Sequence, residues 1–64
     1  MTFTEWKRQA KEHLHELERE AGAEPGSWEW ILRDDEDMRI SGHEDNVFCD
    51  NPRGYVDYQV ECAQ

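Results

Sequence analysis

Carboxylates are the side chains of this sequence with the greatest capacity for chemistry: sixteen acidic residues stand against seven Lys and Arg, a formal charge of −9. Carboxylates can bind metal ions, transfer protons or present charge to a partner. Acid–base catalysis needs an environment that separates the pKa values of two such groups. A chain of about 60 residues buries only about 60% of its unfolded surface and leaves little room for such a cleft. We therefore expect a charged surface rather than an enzyme.

The other residues that could do chemistry do not form recognisable sites. His13 and His15 are two residues apart, so on a helix they point to different faces. His43 has acidic neighbours but no second cluster of ligands at a recognisable spacing. An EF-hand loop starting at Asp35 would need glycine at its sixth position, where Ile40 stands. Because Gly-rich phosphate loops, a serine nucleophile motif and Cys-x-x-Cys are also absent from the sequence, we expect no metal and no cofactor.

The acidic excess is concentrated in the second part of the chain. Residues 1–21 carry four basic and five acidic side chains, whereas residues 22–64 carry three basic and eleven acidic ones, a net of −8. Nucleic-acid phosphates and anionic lipids attract Lys and Arg, so neither is an expected direct partner. No apolar run approaches the roughly 18 residues of a membrane span. The expected partner is a basic protein.

The cysteines and the first residues bear on location. Cys49 and Cys62 are too few for a disulfide framework, and residues 1–15 contain no apolar signal region. We therefore expect a cytoplasmic protein in which each cysteine is a reduced, buried thiol.

The first segment has the period of a helix. Thr2 and Glu5 match a capping box, and Gly22 suits the left-handed conformation that ends a helix. Apolar residues three or four apart form one stripe, and these are Phe3, Trp6, Ala10, Leu14, Leu17 and Ala21. The pattern predicts a helix over about residues 3–21.

The rest of the chain alternates apolar and polar residues with the period of a strand. The alternation predicts four strands, at about residues 27–33, 38–41, 46–50 and 55–62. The residues Asn51-Pro52-Arg53-Gly54 fit a type I turn between the last two strands. The sequence therefore predicts one small α+β domain over residues 1–64, an N-terminal helix packed on a four-stranded antiparallel meander, with Trp6 and Trp30 in its core.

Acidic residues on the open face and turns of this predicted sheet form the candidate partner-binding surface. Phosphates recur every ~3.4 Å of axis along each strand of B-DNA, and carboxylates two residues apart on a β-strand are ~6.6 Å apart. Such a surface can therefore imitate the charge of DNA, although it can equally be a solvated surface with no partner. The set is Asp34, Asp35, Glu36, Asp37, Glu44, Asp45, Asp50, Asp57 and Glu61.

In its length, its charge of −9 concentrated after residue 21 and its predicted outline, the chain resembles a class of small acidic phage-encoded inhibitors that mimic DNA. The class includes anti-CRISPR proteins and inhibitors of DNA-repair glycosylases, and the chain resembles in particular the anti-CRISPR proteins built from one helix and an antiparallel sheet. No diagnostic motif supports the resemblance. It implies a non-enzymatic inhibitor that blocks DNA binding by a basic host complex, specifically a Cascade-type surveillance complex.

The sequence is also compatible with two other functions. One is a protein-interaction module or regulator that binds through apolar residues expected on the outer sheet face, namely Ile31, Phe48 and Tyr55. The same residues could form a dimer patch, although a monomer is the expected form. The other is a passive acidic domain. Binding through charge weakens steeply with salt, whereas binding through an apolar interface does not.

Overall fold

The computed structural model describes residues 1–63 and contains no β-strand in that range. The predicted α+β fold with a four-stranded meander is therefore wrong, and the architecture is helical. The elements are α1 (Phe3–Glu20), a 3₁₀ turn (Glu29–Leu32), α2 (Asp35–Met38) with its π-helical continuation (Arg39–His43), and α3 (Pro52–Ala63). Helix α1 packs most extensively on α3, which also contacts the 3₁₀ turn and the π-helical segment.

Helix α1 confirms the predicted N-terminal helix. The Thr2 hydroxyl accepts a hydrogen bond from the Glu5 N–H at 3.2 Å, as an N-cap does. Past the C-terminus of α1, Gly22 takes the left-handed conformation (φ 76°). The buried face contains the predicted Trp6, together with Ala10, Leu14 and Glu18. Local signals were sufficient here because the cap and the apolar stripe favour the same structure.

The strand predicted over residues 55–62 is wrong, because a helix begins at the residues interpreted as a hairpin turn. The Asn51 side-chain oxygen accepts a hydrogen bond from the Gly54 N–H at 3.0 Å, and Pro52 is the first helical residue, where its missing N–H costs nothing. The central dihedral angles of a type I turn lie close to those of a helix. The same residue types therefore serve both structures.

Two periodicities overlap in α3. Val56, Tyr58, Val60 and Cys62 alternate as in a strand, but Tyr55 and Val56 are buried and Val60 is half-buried, which is the pattern of one helical face. The helix buries Tyr55, which the strand register had placed on the outer face. Packing of Tyr55 and Val56 in the core decides between the two patterns.

The other three predicted strands are wrong as well. Residues 27–33 form turns and the 3₁₀ turn. Residues 38–41 belong to the end of α2 and to the π-helical segment, and residues 46–50 form further turns. The decisive local feature is Asp34, whose side chain accepts a hydrogen bond from the Asp37 N–H at 2.9 Å. This N-cap and the acidic residues of the first turn, which complement the helix dipole, start a helix where the meander needs a hairpin loop.

The core is built around Trp6. Its indole is fully buried, its Nε1–H donates to the Phe48 carbonyl at 2.8 Å, and its ring lies 5.1 Å from that of Tyr55. Gly42 lies so close to the indole that a Cβ there would be 2.3 Å from Cη2 of Trp6. The prediction that Trp30 belongs to the core is wrong, since Trp30 is 67% exposed. The buried cluster comprises Trp6, Ala10, Leu14, Leu32, Met38, Tyr55 and Val56.

Two further expectations concern membranes and thiols. Among the described residues, no helix is both long and apolar enough to cross a bilayer. Both cysteines are free, as expected, but neither is buried: Cys49 is half-buried and Cys62 is exposed.

Candidate functional site

The nine candidate carboxylates all reach the surface, seven of them exposed and two half-buried. Because residues 1–63 contain no sheet, these carboxylates do not share a sheet face, and the helices divide them into three groups. The α2 group is residues 34–37, the connecting group is Glu44, Asp45 and Asp50, and the α3 group is Asp57 and Glu61. The predicted exposure is therefore confirmed for seven of the nine residues, and the predicted arrangement on a sheet is wrong.

The α2 group lies against the N-terminal half of α1. Asp35 forms an ion pair with Lys7, whose Nζ lies 2.9 Å from Oδ2 of Asp35, and Asp34 caps α2. Glu36 is exposed and makes no ion pair with the described residues. Burial and then the charge of Asp37 raise the pKa of the Tyr55 hydroxyl. Within the described residues, Asp35 is thus the one member of the group with an ion-pair partner, and Asp34 is engaged in its cap.

The α3 group lies on the other flank of α1. Asp57 Oδ1 is 2.7 Å from His13 Nε2, and Glu61 stands one helical turn further along, on the same face of α3. Lys7 and His13 lie on opposite sides of the buried stripe of α1. They are six residues apart, and at 100° per residue this separates them by about 120° around the helix. The α2 and α3 groups therefore present charge on two flanks of α1, displaced by ~9 Å along its axis.

The connecting group is partly structural. The side chain of Asp45 accepts hydrogen bonds from the N–H groups of Val47 at 2.8 Å and Phe48 at 3.3 Å, so it orders the turn after the π-helical segment. Glu44 lies 2.5 Å from the Arg39 guanidinium. Asp50 is exposed and, within residues 1–63, has no ion-pair partner. Of the nine carboxylates, Asp50 is therefore among the freest to meet a partner.

Glu18 is an important acidic residue that the sequence pattern did not single out. It is 1% exposed, and its two carboxylate oxygens accept hydrogen bonds from the N–H groups of Gly26 at 3.0 Å and Trp28 at 2.7 Å. Its position continues the four-residue series of Trp6, Ala10 and Leu14, which was the available signal. Glu18 therefore anchors the loop after α1 and fixes the backbone of Trp28.

The environment of Glu18 has opposing effects on its ionisation. Burial acts to raise the pKa of Glu18, but the hydrogen bonds from Trp28 and Gly26, with the charge of His15, outweigh it and hold the pKa below its ordinary value of 4.5. A carboxyl whose pKa is lowered by folding stabilises the folded state above its unfolded pKa. That stabilisation is lost as the pH falls through the lowered folded value.

We expect Glu18→Gln to lower the melting temperature by roughly 10 °C near neutral pH, because an amide presents its own N–H groups to one of the two backbone donors. Because the variant has no carboxyl group at this position, its melting temperature should fall less than that of wild type as the pH is lowered below about 5. Melting curves followed by circular dichroism over this pH range measure both effects.

The matched control is Glu5→Gln. A hydrogen bond from Arg8, helped by one from Gln9, lowers the pKa of Glu5 to about 2, but this pair is solvated and its stabilisation is screened. The control should melt within about 3 °C of wild type near neutral pH. Equal effects at both positions would contradict an anchoring role for Glu18.

Beside this loop lies an apolar groove of about 190 Å³, which we call the Trp30 groove. Its lining is Trp28, Trp30, Ile31, Val60 and Ala63. Two larger depressions at the C-terminal end of α1, of about 350 and 360 Å³, include charged side chains in their linings, among them Glu18 and Arg19 in one and Glu16, Arg19 and Glu20 in the other. Among residues 1–63, the lining of the Trp30 groove consists of apolar residue types, whereas charged side chains contribute to both of the other linings.

Within residues 1–63, no group of three or more His, Cys, Asp or Glu side chains is placed to hold a metal ion. When the chain was compared with protein-family models, with curated proteins and with solved structures, none gave a significant match. Its function is therefore inferred from its own charges, exposures and contacts.

Proposed function

We propose that this protein is a non-enzymatic inhibitor that presents DNA-like charge to a basic nucleic-acid-binding complex of its host and thereby blocks DNA binding. One observation carries the proposal: each of the eleven carboxylates of residues 22–64 reaches the surface. Residues 22–64 contain only three basic side chains, all arginines, and one of them, Arg39, is already paired with Glu44. The surface outside α1 therefore has a strongly negative potential, which steers a protein rapidly onto a basic groove.

The helical arrangement supports this function without a sheet. Asp57 and Glu61 are separated by one turn, a rise of ~6 Å, which is close to two phosphate steps of ~3.4 Å along a DNA strand. The α2 group adds a second cluster on the opposite flank of α1. Two separated rows of carboxylates resemble the two charged strands that border a groove of DNA.

The corrected fold changes what the resemblance contributes. The part that depended on an antiparallel sheet no longer applies, whereas the length and the acidic charge remain. A Cascade-type surveillance complex is therefore the first target to test, with a DNA-repair glycosylase as the second, and we propose a monomer acting in the host cytoplasm. The apolar module predicted from the sequence loses its residues, because Ile31 and Tyr55 are buried and Phe48 is half-buried.

The test is competition for DNA. A purified Cascade-type complex is mixed with its fluorescent target duplex and increasing amounts of this protein, and the bound DNA is measured. We expect the protein to displace the duplex, and we expect its inhibition constant to rise about tenfold or more between ~50 and ~200 mM salt. DNA binding that proceeds unhindered in both the Cascade-type complex and a DNA-repair glycosylase would overturn the proposal.

A charge-reversal pair tests whether a defined surface is responsible. Glu36→Lys combined with Asp50→Lys should raise the inhibition constant about tenfold or more, because both carboxylates are exposed and unpaired within the described residues. The matched control is Glu16→Lys combined with Glu20→Lys, which changes the net charge equally at two exposed positions on α1 itself. An equal loss in both pairs would show that charge acts only as a general field.

A further inference from the structure

We propose that the Trp30 groove binds an arginine side chain of the basic partner, with the aliphatic stem in the groove and the guanidinium stacked on Trp30. This inference rests on the proposed function, because it takes the partner to be basic. It adds to the acidic surface a second kind of contact, in which the shape and the indole of the groove recognise the arginine side chain.

The exposure of Trp30 is the first observation in its favour. Trp30 is 67% exposed, whereas Trp6 of the same chain is fully buried. Two neighbours of Trp30 in the 3₁₀ turn, Ile31 and Leu32, are buried and supply the turn with its anchorage. The indole of Trp30 is therefore not needed to close the core, and tryptophan is one of the residue types enriched among the hot spots of protein interfaces.

The size and lining of the groove favour one side chain. Its volume of about 190 Å³ is below the ~300–1,000 Å³ typical of small-molecule pockets. Its walls are two indoles and aliphatic side chains, which suit the methylene stem of an arginine. A guanidinium also stacks on an indole face with cation–π attraction.

Charge selects a cation over a neutral apolar side chain. No basic residue of the described range 1–63 lines the groove, and two exposed acids, Glu29 and Glu61, are the sequence neighbours of Trp30 and Val60. A second copy of the chain is a poor occupant, because each copy carries a formal charge of −9 and like charges oppose association. A basic partner is complementary to the groove and to the rest of the surface.

Three walls of the groove are held in place by the fold. Glu18 fixes the backbone of Trp28 through a 2.7 Å hydrogen bond, while Ile31 is buried and Val60 packs against the core cluster. Binding therefore needs little ordering of these three walls, which favours affinity from a small contact.

The test uses a hexa-arginine peptide as the probe. In a ¹⁵N-labelled sample, the three tryptophans give three indole N–H signals, which Trp28→Phe and Trp30→Phe variants assign. We expect the peptide to shift the signals of Trp30 and Trp28 and to leave that of Trp6 unchanged, because the Trp6 indole is buried and hydrogen-bonded to Phe48. A hexa-citrulline peptide, which has the same shape without charge, should not shift them.

Two variants measure how much the groove contributes. Trp30→Ala should weaken binding of the arginine peptide about tenfold, whereas Val47→Ala, at a residue that is 72% exposed and outside the groove lining, should change it less than about twofold. Binding with no shift at Trp30 and no loss in Trp30→Ala would overturn the groove while leaving the acidic surface in place. Equal binding of the citrulline peptide, or no binding of the arginine peptide, would also overturn it. Failure of the proposed function itself is seen separately, in the DNA competition assay.

Discussion

Trp6→Ala should largely unfold this protein. The substitution empties the centre of the core, because Trp6 is fully buried, contacts Tyr55 and donates a hydrogen bond to the Phe48 carbonyl. Truncation of a buried tryptophan costs about 3–5 kcal/mol, and a domain of this size has only about 5 kcal/mol of stability to lose. Urea titration followed by circular dichroism should show a transition that is nearly complete without denaturant.

The chain provides its own control in Trp30→Ala, which removes the same side chain from an exposed position. Trp30 is 67% exposed, so its removal should change the free energy of unfolding by less than about 1 kcal/mol. Denaturation midpoints that fall equally in the two variants would place Trp30 in the core and contradict the helical fold described above. A midpoint near wild type for Trp6→Ala would contradict the central role of the indole.

Gly42→Ala should be the most damaging change of a single methyl group. An added Cβ would lie 2.3 Å from Cη2 and 2.5 Å from Cζ2 of Trp6, and 3.2 Å from Cδ2 of Tyr55. Alanine normally favours a helix over glycine by about 1 kcal/mol, but the indole is held by its hydrogen bond to Phe48 and has no free space. Overpacking should therefore prevail, at a net cost of about 1–3 kcal/mol in the free energy of unfolding.

A double-mutant cycle identifies the clash as the cause. Trp6→Phe removes the two ring atoms that the new methyl group would strike, so Gly42→Ala should cost less in that background than in wild type. Ser41→Ala is the matched control, because Ser41 is the exposed neighbour of Gly42 in the π-helical segment. Additive costs at positions 6 and 42 would show that the close approach of Gly42 to the indole is not what limits the site.

Helix α1 could be predicted from residue order because every signal that determines it is local. The Thr2 cap and the apolar stripe lie within one segment, so period and cap favour the same structure without any contact from outside. Exposure of seven of the nine acidic residues was predictable for a related reason, since a charge is costly to bury in any fold unless hydrogen bonds satisfy it, as they do for Glu18.

The structure after α1 depended on contacts that residue order does not contain. Residues 55–62 satisfy the period of a strand and that of a helix, and burial of Tyr55 against Trp6 decides between them. A strand needs a hydrogen-bonded neighbour along its whole length, whereas α3 forms its own hydrogen bonds and buries only one face. The cap at Asp34 is a local signal for a helix, but the apolar–polar alternation on either side of it has the period of a strand.

The arrangement of the candidate surfaces was likewise a tertiary outcome. The contacts Lys7–Asp35 and His13–Asp57 join residues that are 28 and 44 positions apart, and they place the acidic groups on opposite flanks of α1. Trp30 is exposed because Ile31 and Leu32, rather than its own ring, fill the space beneath the 3₁₀ turn. Composition alone was enough to show that this chain is acidic and has a small core, whereas packing around one buried tryptophan decided where its charges and its exposed indole lie.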